Sequence, residues 1–343
     1  MALVDVEKIF DIAKEILLLC EVPEDEAGIV ADTILDAHKK GKHTHGLGRL
    51  PIYYRKINEG LMSPKTAMKQ VSDRAAVAVY DARNGFGQVA AFKGMLICME
   101  KAAAYGVGVV AVKDSNSFGV AGYFGEMAAE KGMIGIVMGN ASPALATPGG
   151  NKAILGTNPI CFSFPGTNNC PPIIFDMACS VAARGKIRIA AKTGEQIPLD
   201  WAVDAEGNPT NNPTKALEGM INAVGGHKGF GLALVVDILA GVLSDSAFGG
   251  EVKALNAPEG ISRYGHFLMA IDPGTFLDKK EYSEKMDCLV GNVKACGEQG
   301  SVFLPGERSC LKKLRSAKGI DLPDGIINET NDLAFAAGAA MRL

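Results

Sequence analysis

The sequence has 343 residues, with a formal net charge of −3 and 21% charged residues. Its 48% of hydrophobic residues is enough to bury a large core, which argues against disorder. Because nucleic-acid-binding proteins usually carry a basic domain or stripe, the slightly acidic balance gives no support for that class. The length suggests either two domains or one large α/β domain.

Neither the N-terminus nor the most apolar segment indicates export or membrane insertion. Residues 1–16 lack a basic segment followed by an apolar one, so secretion is not indicated. Residues 231–243 are shorter than the roughly 20 apolar residues that span a bilayer, and they include Asp237. The eight cysteines show no CxxC and no zinc-finger spacing, so we expect reduced, mostly buried thiols, no metal site and a cytoplasmic location.

Helical periodicity dominates the first 60 or so residues. Apolar residues between Val4 and Leu17 fall on one helical face, and a second helix is predicted after Pro23, which suits a first-turn position. A third helical stretch covers residues 47–60 and is interrupted by Pro51. The beginning of the chain is therefore predicted to be all-helical.

From about residue 70, short β-branched runs alternate with helical stretches, which is typical of an α/β domain. Strands are predicted at 76–80, 107–112, 134–139, 173–178 and 266–272, and helices at 88–104, 121–131, 228–243 and 281–298. The helix at 228–243 is apolar enough to be buried. Residues 142–166 are too apolar for a linker and are expected to form ordered loops around a site, whereas residues 204–217 form a polar loop.

This pattern predicts two domains. Residues 1–70 form a helical domain, joined by C-terminal segments near 300–343. Residues 71–300 form an α/β domain that binds the cofactor and the substrate. No internal repeat or low-complexity tract is visible.

Residues 84–90, NGFGQVA, raise the question of a dinucleotide-binding turn. Their glycines follow a strand and precede a helix, where a pyrophosphate could approach the backbone. Against this, some 70 residues precede the motif, and Asn84-Gly85 is also an ordinary turn signal. Richer glycine motifs occur later, at 148–159, 176–186 and 225–231. From these residues alone, both interpretations stay open.

A family resemblance decides between them. HTHGLGR at 43–49 resembles the [ST]HGxxR signature of the malate/L-lactate dehydrogenase-like oxidoreductases, which are unrelated to the Rossmann-type lactate and malate dehydrogenases. Six further motifs follow in the family's order over roughly residues 5–340: NGFGQ (84–88), SNSFGVAGYF (115–124), PGGNKAILGTNPI (148–160), DMACSVAARGKI (176–187), GGHKGFGLAL (225–234) and FLPGER (303–308). The resemblance implies a non-Rossmann α/β fold, with a mixed-sheet cofactor domain beside a helical domain, and a homodimer. NGFGQ is then expected to be a turn-to-helix element near the site.

The resemblance also implies hydride transfer to a 2-oxo acid, which needs an acid and a carboxylate anchor. His45 is the predicted acid, because imidazole can give a proton in one direction and take it in the other near neutral pH. Arg49, four residues on, would share a helical face with His45 and could hold a carboxylate through two parallel hydrogen bonds. Thr44 could orient His45 or cap a helix. A surface histidine and an exposed ion pair are the alternatives, and His43 matches nothing in the family.

Ser117 departs from the family pattern. Family members commonly carry His at this place, as SNHFG or SNHYG, and in some of them that His is assigned proton transfer. A serine hydroxyl cannot be a general acid or base near pH 7, but it can hydrogen-bond the substrate or the nicotinamide amide. The departure shifts proton transfer to His45 and leaves an altered substrate or a weak enzyme open.

Cofactor contacts carry over to loops in five parts of the chain. They are Asn116, Phe118 and Gly119; Gly156, Thr157, Asn158 and Pro159; Asp176, Met177 and Ala178; Lys228; and Gly306, Glu307 and Arg308. Lys228 could bind a phosphate or ribose, with a solvated lysine as the alternative. Asp176 could bind ribose or orient a catalytic group, with a structural turn as the alternative. NAD and NADP both remain open, because no arginine cluster suits a 2′-phosphate.

The function implied is an NAD(P)-dependent dehydrogenase of a small 2-hydroxy acid, of the malate, lactate, sulfolactate or ureidoglycolate type. Two alternatives use the same scaffold: a reductase of cyclic imines such as piperideine- or pyrroline-2-carboxylate, and a 2,3-diketogulonate reductase. A third reading is a cofactor-binding protein that has lost turnover. Lys186 favours the hydroxy-acid branch weakly, since imine-reducing members tend to have an acid there.

Overall fold

A computed structural model describes residues 2–343, which form one large mixed sheet, two small sheets and surrounding helices. The helices are α1 (Val6–Leu19), α2 (Glu24–Lys39), α3 (Leu50–Asn58), α4 (Gly87–Tyr105), α5 (Ala121–Glu130), α6 (Arg184–Thr193), α7 (Pro213–Glu218), α8 (His227–Asp237), α9 (Lys279–Lys294), α10 (Glu307–Arg315) and α11 (Asp324–Ala337). The strands are β1 (Ala2–Val4), β2 (Lys69–Arg74), β3 (Val77–Asp81), β4 (Val107–Ser115), β5 (Ile134–Gly139), β6 (Ile160–Phe164), β7 (Ile173–Met177), β8 (Ala202–Val203), β9 (Met220–Ile221), β10 (Tyr264–Ile271) and β11 (Ile320–Leu322).

The large sheet has seven strands in the order β2-β3-β4-β10-β5-β6-β7. Only the β3–β4 pair is parallel, and the other pairs are antiparallel. A Rossmann domain is built on a mostly parallel sheet, so this topology excludes it and confirms the predicted non-Rossmann α/β class. The central strands β4, β10 and β5 are apolar runs because helices cover both of their faces.

Two helical layers pack on opposite faces of this sheet. Helices α4 and α5 cover one face, where Val110 and Leu268 are fully buried. Helix α8 covers the other face, where Val236 packs with Phe267. Because successive side chains of a strand point to opposite faces, neighbouring residues of β10 contribute to different layers.

A separate core joins the two ends of the described chain. Side chains of α1, α2 and α3 pack with Ile320, Leu322 and Leu333. Strand β1 pairs antiparallel with β11, with Ala2 opposite Leu322. The division of the chain at residue 70 into a helical and an α/β domain stays a prediction.

The predicted buried helix at 228–243 is buried on one side only. Helix α8 ends at Asp237, and a π-helical turn, Ile238–Val242, continues it. Val236 and Ala240 face the sheet and are fully buried. The exposed apolar side chains of this segment are Leu232, Leu234, Val235, Ile238, Val242 and Leu243. Among residues 2–343, no helix is both long and apolar enough to cross a membrane.

Three other sequence predictions differ from the structure in detail. The predicted loop at 142–166 contains strand β6, which pairs with β5 and β7. Pro51 does not interrupt the third helix but lies in the first turn of α3, where a missing N–H leaves no hydrogen bond unmade. The predicted polar loop at 204–217 contains most of α7, whose first N–H groups are capped by the Asn212 side chain.

Candidate functional site

The HTHGLGR segment forms two 3₁₀ turns between α2 and α3. His38, in the last turn of α2, contacts this loop: its Nε2 accepts the Leu47 N–H at 2.9 Å, and its Nδ1 lies 2.8 Å from His43 Nδ1. A neutral imidazole that accepts at Nε2 carries its proton on Nδ1, so His38 donates to His43. A Cβ on Gly46 would lie 2.1 Å from His38 Nε2, which explains the glycine. His43 therefore supports the loop.

His45 lies half-buried in the first of these turns. Its Nδ1 is 3.0 Å from Thr44 Oγ1, and Nε2 makes no hydrogen bond within the described residues. Burial lowers the pKa of His45, and the charges of Arg49 and Lys42 lower it further, to about 3. The imidazole is therefore neutral at pH 7, in the state that can accept a proton.

Arg49 is held beside His45 by the backbone. Its Nε donates to the Thr44 carbonyl oxygen at 2.9 Å. The predicted shared helical face is wrong, because His45 and Arg49 lie in two separate 3₁₀ turns. Within residues 2–343, the terminal guanidinium nitrogens make no hydrogen bond and have no carboxylate within 4.0 Å. The half-buried guanidinium is thus not occupied by an ion pair.

Two tyrosines that sequence reasoning did not select lie in the surroundings of Arg49. Tyr53 is one helical turn further along α3, and its hydroxyl accepts a hydrogen bond from Gln88 Nε2 at 2.7 Å. Burial raises the pKa of both Tyr53 and Tyr264, and the charge of Arg49 opposes that rise in each case. Tyr264 pairs with Ser115 across β10 and β4, so Arg49 lies near the strand end that leads to Ser117. The spacing of 49 and 53 could have revealed Tyr53, whereas no local signal marks Tyr264.

The loop from Asn116 to Gly119 follows β4 directly. The buried Asn116 side chain donates to the Asn84 and Gly85 carbonyls, and the buried Phe118 ring lies 4.9 Å from the His266 ring. Ser117 is half-buried, and its hydroxyl has only a 3.5 Å contact with the Gly119 N–H. A ligand at this loop would therefore meet the Ser117 hydroxyl and the backbone, because the side chains of Asn116 and Phe118 are committed to the interior.

The space beside both glycines of NGFGQ is already filled by other parts of the protein. A Cβ on Gly85 would lie 2.6 Å from Thr66 Cα, and one on Gly87 would lie 2.0 Å from the Asn116 carbonyl oxygen. No room remains there for a pyrophosphate. As predicted, the motif is a turn that leads into α4, and it packs directly behind the Asn116–Gly119 loop.

Asp176 connects the histidine loop to the sheet. It lies in β7 and forms an ion pair with Lys42. A Cβ on Gly122, at the start of α5, would lie 2.9 Å from Asp176 Oδ2, and one on Gly185, at the start of α6, would lie 2.9 Å from Thr44 Cγ2. Strand β7 and the starts of α5 and α6 thus pack around the 42–45 turn and the ion pair that Lys42 makes with Asp176. Met177 and Ala178, which follow Asp176, are both half-buried.

The loop from Gly156 to Pro159 is anchored by its own side chains. Asn158 has a φ of +35° and donates to the Ala233 carbonyl of α8 at 2.8 Å. The Thr157 carbonyl accepts the Cys179 N–H at 2.8 Å, just after Ala178. These contacts bring together the 156–159 and 176–178 loops and α8, whose first turn carries the exposed Lys228. Asn158, in contrast, is fully buried and acts as a structural support.

Residues 306–308 begin α10. Gly306 has a φ of +87°, and a Cβ there would lie 2.9 Å from Ile174 of β7. Glu307 accepts the Leu304 N–H at 2.8 Å and pairs with a lysine, while the Arg308 guanidinium lies 4.6 Å from the centre of the Phe303 ring. The side chains of Glu307 and Arg308 therefore already have partners in the chain, whereas Gly306 lines the same cavity as Asp176.

Two cavities border these loops. The larger, of about 480 Å³, is lined by residues that include Thr147, Asp200 and His227, next to Lys228 in sequence. The smaller, of about 120 Å³, lies between α10 and the histidine loop and is lined by Lys42, Asp176 and Gly306 among others. The start of α8, at Gly225–His227, and Gly306 thus border different cavities. In the part of the chain that the structure describes, no three His, Cys, Asp or Glu side chains are grouped to bind a metal ion.

Comparison with known proteins agrees with this architecture. Residues 4–331 match the family model described as malate/L-lactate dehydrogenase. The chain is 41% identical to the L-sulfolactate dehydrogenase of Methanothermobacter thermautotrophicus over 94% of each chain, and 40% identical to the malate/(S)-sulfolactate dehydrogenase of Methanothermus fervidus over 93% of this chain and 94% of that one.

Solved structures extend the likeness to the fold. The sulfolactate dehydrogenase of Methanocaldococcus jannaschii superposes with a TM-score of 0.91 at 37% identity over 98% of each chain. The Δ1-piperideine-2-carboxylate reductase of Pseudomonas syringae superposes with a TM-score of 0.89 at 29% identity, over 97% of this chain and 100% of that one. With the mixed sheet and the motif order found here, the chain belongs to the malate/L-lactate dehydrogenase family.

Proposed function

We propose that the protein is an NAD(P)-dependent dehydrogenase of a small 2-hydroxy acid, in which His45 moves the proton and Arg49 binds the carboxylate. The observation that carries the proposal is the unoccupied guanidinium of Arg49, tethered at Nε to the backbone one residue before His45. A half-buried cation without an acid partner favours an anionic ligand. Together with the neutral imidazole of His45, this guanidinium suits a ligand that has a carboxylate and, on the neighbouring carbon, a hydroxyl.

Each residue has a defined task in this proposal. Arg49 would hold the carboxylate through its two terminal nitrogens, which orients the 2-hydroxyl toward His45. In the oxidation direction His45 takes the hydroxyl proton, and in the reduction direction it returns that proton to the same oxygen. Thr44 fixes the imidazole through its 3.0 Å contact at Nδ1, which leaves Nε2 for the substrate. Ser117 would hydrogen-bond either the substrate or the nicotinamide amide.

A nicotinamide cofactor would supply or accept the hydride. Its fit is supported at the start of α8, where Gly225 and Gly226 have φ values of +61° and +63° and where the exposed Lys228 has no acid within 4.0 Å among residues 2–343. Helix N-termini attract anions, so these residues suit a pyrophosphate beside the 480 Å³ cavity. The 156–159 and 176–178 loops, which contact α8 or lie next to it, would complete the binding surface. The choice between NAD and NADP is left to experiment.

The substrate class follows from the relatives. Sulfolactate and malate both carry a second anionic group besides the 2-hydroxy carboxylate, so we propose such a dianionic acid ahead of lactate or ureidoglycolate. Cyclic imine reduction is the alternative, because the Pseudomonas syringae neighbour bears that name. Lys186 stands where imine reductases tend to have an acid, which weakly favours the hydroxy-acid branch, and its ammonium group lies 6.0 Å from the centre of the Trp201 ring. Reduction of 2,3-diketogulonate is a further outcome to test.

The decisive experiment is a substrate panel. Purified protein is mixed with NADH or NADPH, and the absorbance of the reduced coenzyme is followed with sulfopyruvate, oxaloacetate, pyruvate, piperideine-2-carboxylate and 2,3-diketogulonate. We expect the highest kcat/KM with sulfopyruvate or oxaloacetate. In the variant Arg49→Met, KM for the 2-oxo acid should rise by about 100-fold, since a charge-assisted pair contributes on the order of 3 kcal/mol. Turnover of the imine alone would move the protein to the reductase branch, and coenzyme binding without any turnover would contradict the proposed activity.

We further propose a homodimer formed through the exposed apolar face of α8 and the π-helical turn. Soluble monomers rarely leave six neighbouring aliphatic side chains exposed on one element. In the double variant Val235→Asp, Ile238→Asp, size-exclusion chromatography with light scattering should show a monomer at concentrations where the native protein is a dimer. Leu289→Asp, at a comparably exposed position on α9, is the control and should leave the mass unchanged. A native protein that is monomeric at every concentration would contradict this assignment.

The thiols support a reducing compartment. All eight cysteines are free, and five of them are buried, which matches the sequence-based expectation. Burial raises the pKa of Cys20 and Cys179 to about 11, so these thiols stay protonated and unreactive at neutral pH. We therefore propose the cytoplasm as the location.

A further inference from the structure

Lys56 is a fully buried cation that the proposed reaction does not use. It lies in α3 with none of its surface exposed, and within residues 2–343 no carboxylate comes within 4.0 Å of its ammonium group. Lysine is almost never fully buried unless it is paired with an acid. Burial and the nearby charge of Arg55 lower the pKa of Lys56 to about 8. Because burying an ammonium group without an acid partner costs stability, this group should have a role that a leucine or methionine side chain could not perform.

The partners of Lys56 are two neutral oxygens from distant parts of the chain. Its Nζ donates to Ser262 Oγ at 2.6 Å and to Asn116 Oδ1 at 3.3 Å. Ser262 and Asn116 are themselves fully buried. Ser262 lies two residues before Tyr264, and Asn116 lies one residue before Ser117. One side chain of α3 thus binds both segments that approach Arg49 from the sheet.

Asn116 also hydrogen-bonds the turn that follows β3, so it links Lys56 to that turn. Its Nδ2 donates to the Asn84 and Gly85 carbonyls, and Asn84 Nδ2 donates to the Leu61 carbonyl at 3.0 Å. The Leu61 N–H in turn donates to the carbonyl of Lys56 at 2.8 Å. The hydrogen bonds form a closed ring from α3 through the Asn116 loop and back to α3. Within residues 2–343, Lys56 provides the only hydrogen bond that Asn116 Oδ1 receives.

We propose that Lys56 is a positioning residue: its ammonium group holds the Asn116–Gly119 loop against α3, and so fixes Ser117 relative to Arg49 during hydride transfer. This inference rests on the proposed dehydrogenase function. An ammonium group can only donate, and it has three N–H bonds, so it serves two acceptors at once. Methionine has a similar length and could fill the space, but it would leave both oxygens without a donor.

The test compares Lys56→Met with two controls, Lys8→Met on the exposed face of α1 and Ile12→Val in the helical core. The first control repeats the chemical change at a solvated site, and the second lowers stability away from the loop. Hydrogen exchange of the peptide covering residues 112–120 is measured by mass spectrometry for all variants. We expect faster exchange of this peptide in Lys56→Met only. Ser262→Ala, which removes one of the two acceptors, should fold in any case and show a smaller acceleration.

The kinetic isotope effect is a readout that loss of stability does not affect. With the 2-oxo acid that is turned over fastest, Lys56→Met should lower kcat by about 10- to 100-fold, because a misplacement of about 1 Å in a reacting group has an effect of this size. The primary isotope effect on kcat with coenzyme deuterated at C4 should increase, since hydride transfer then limits the rate. A partly unfolded protein loses active molecules but keeps the native isotope effect. Ile12→Val is the comparison.

The outcomes separate this proposal from the proposed function. Unchanged exchange at residues 112–120 in Lys56→Met would overturn the positioning role, whatever the activity. A lower kcat with a native isotope effect would also overturn it, because the loss would then be one of folded protein. If exchange accelerates but the native protein turns over no 2-oxo acid, the dehydrogenase proposal fails while the attachment of the loop through Lys56 is supported.

Discussion

The variant His45→Gln is expected to lower kcat for the 2-oxo acid by about 10²- to 10⁴-fold at neutral pH, the range usual for loss of a general acid or base. Glutamine can still hydrogen-bond the substrate oxygen, but it cannot transfer a proton. Since Arg49 is unchanged, KM for the 2-oxo acid should change much less than kcat. Steady-state rates followed by coenzyme absorbance measure both values.

The matched control is His43→Gln, two residues away in the same 3₁₀ turn. His43 contacts His38 and not the proposed substrate position, so this variant should keep its kcat. The pH dependence adds a second check. The pKa of His45 is about 3 in the free protein, and a carboxylate bound to Arg49 would cancel one of the charges that lower it. In the oxidation direction, which needs the neutral imidazole, the acidic limb of kcat should therefore lie at higher pH than that of kcat/KM. Full activity of His45→Gln would assign proton transfer elsewhere.

Mild acid is expected to destabilise the folded protein strongly. Burial lowers the pKa of His38 and His266 from 6.5 to about 3 in each case, with the charge of His43 adding to the effect on His38. Below pH 6.5 these two imidazoles take up protons in the unfolded chain but stay neutral in the folded protein. Stability is then fully present above pH 6.5 and is lost as the pH falls toward 3. Two such groups together contribute about 3 kcal/mol of lost unfolding free energy per pH unit, and His45, whose pKa is also about 3, contributes about half as much again.

Urea denaturation at pH 7, 6 and 5, at one fixed protein concentration, measures this loss. A typical domain has only about 5–15 kcal/mol of stability, so unfolding should set in near pH 5, before most carboxylates protonate. The control is His38→Gln, whose amide oxygen can still accept the Leu47 N–H but cannot bind a proton. It should reduce the slope by about a third, as one of three histidines whose pKa is lowered to about 3 is removed. A stability that stays constant from pH 7 to 5 would show that both histidines are accessible to protons.

The sheet was predictable wherever strands are apolar on both sides. Val107–Ser115 and Ile134–Gly139 carry continuous β-branched runs, because helices cover both faces of the sheet there. Strand β6 was missed because proline and glycine on both sides of Ile160–Phe164 suggest a loop. The antiparallel pairing and the strand order depend on contacts between distant segments, and no local pattern encodes them. The family resemblance supplied that part of the fold.

The site was predictable only where a motif marks it. HTHGLGR identified His45 and Arg49, but helical spacing gave the wrong reason for their proximity, which depends on a hydrogen bond from Arg49 to the backbone. Lys56 was not selected, because a lysine on an amphipathic helix is normally solvated. Its burial becomes visible only when Ser262, more than 200 residues away, is brought next to it. The burial of Asn116 and Asn158 could not be read from the loops that contain them either.

The core shared by the two ends of the chain has a consequence for the order of events on the ribosome. Helices α1, α2 and α3 bury their apolar faces together with Ile320, Leu322 and Leu333, which are synthesised more than 250 residues later. The α/β sheet can form while synthesis continues, but the helices that carry His45 and Arg49 cannot complete their packing until residue 333 has emerged. At about 5–20 residues per second, these helices stay incompletely packed for on the order of 15 s or more. During that interval chaperones have access to the apolar surface of the segment that will carry the chemistry.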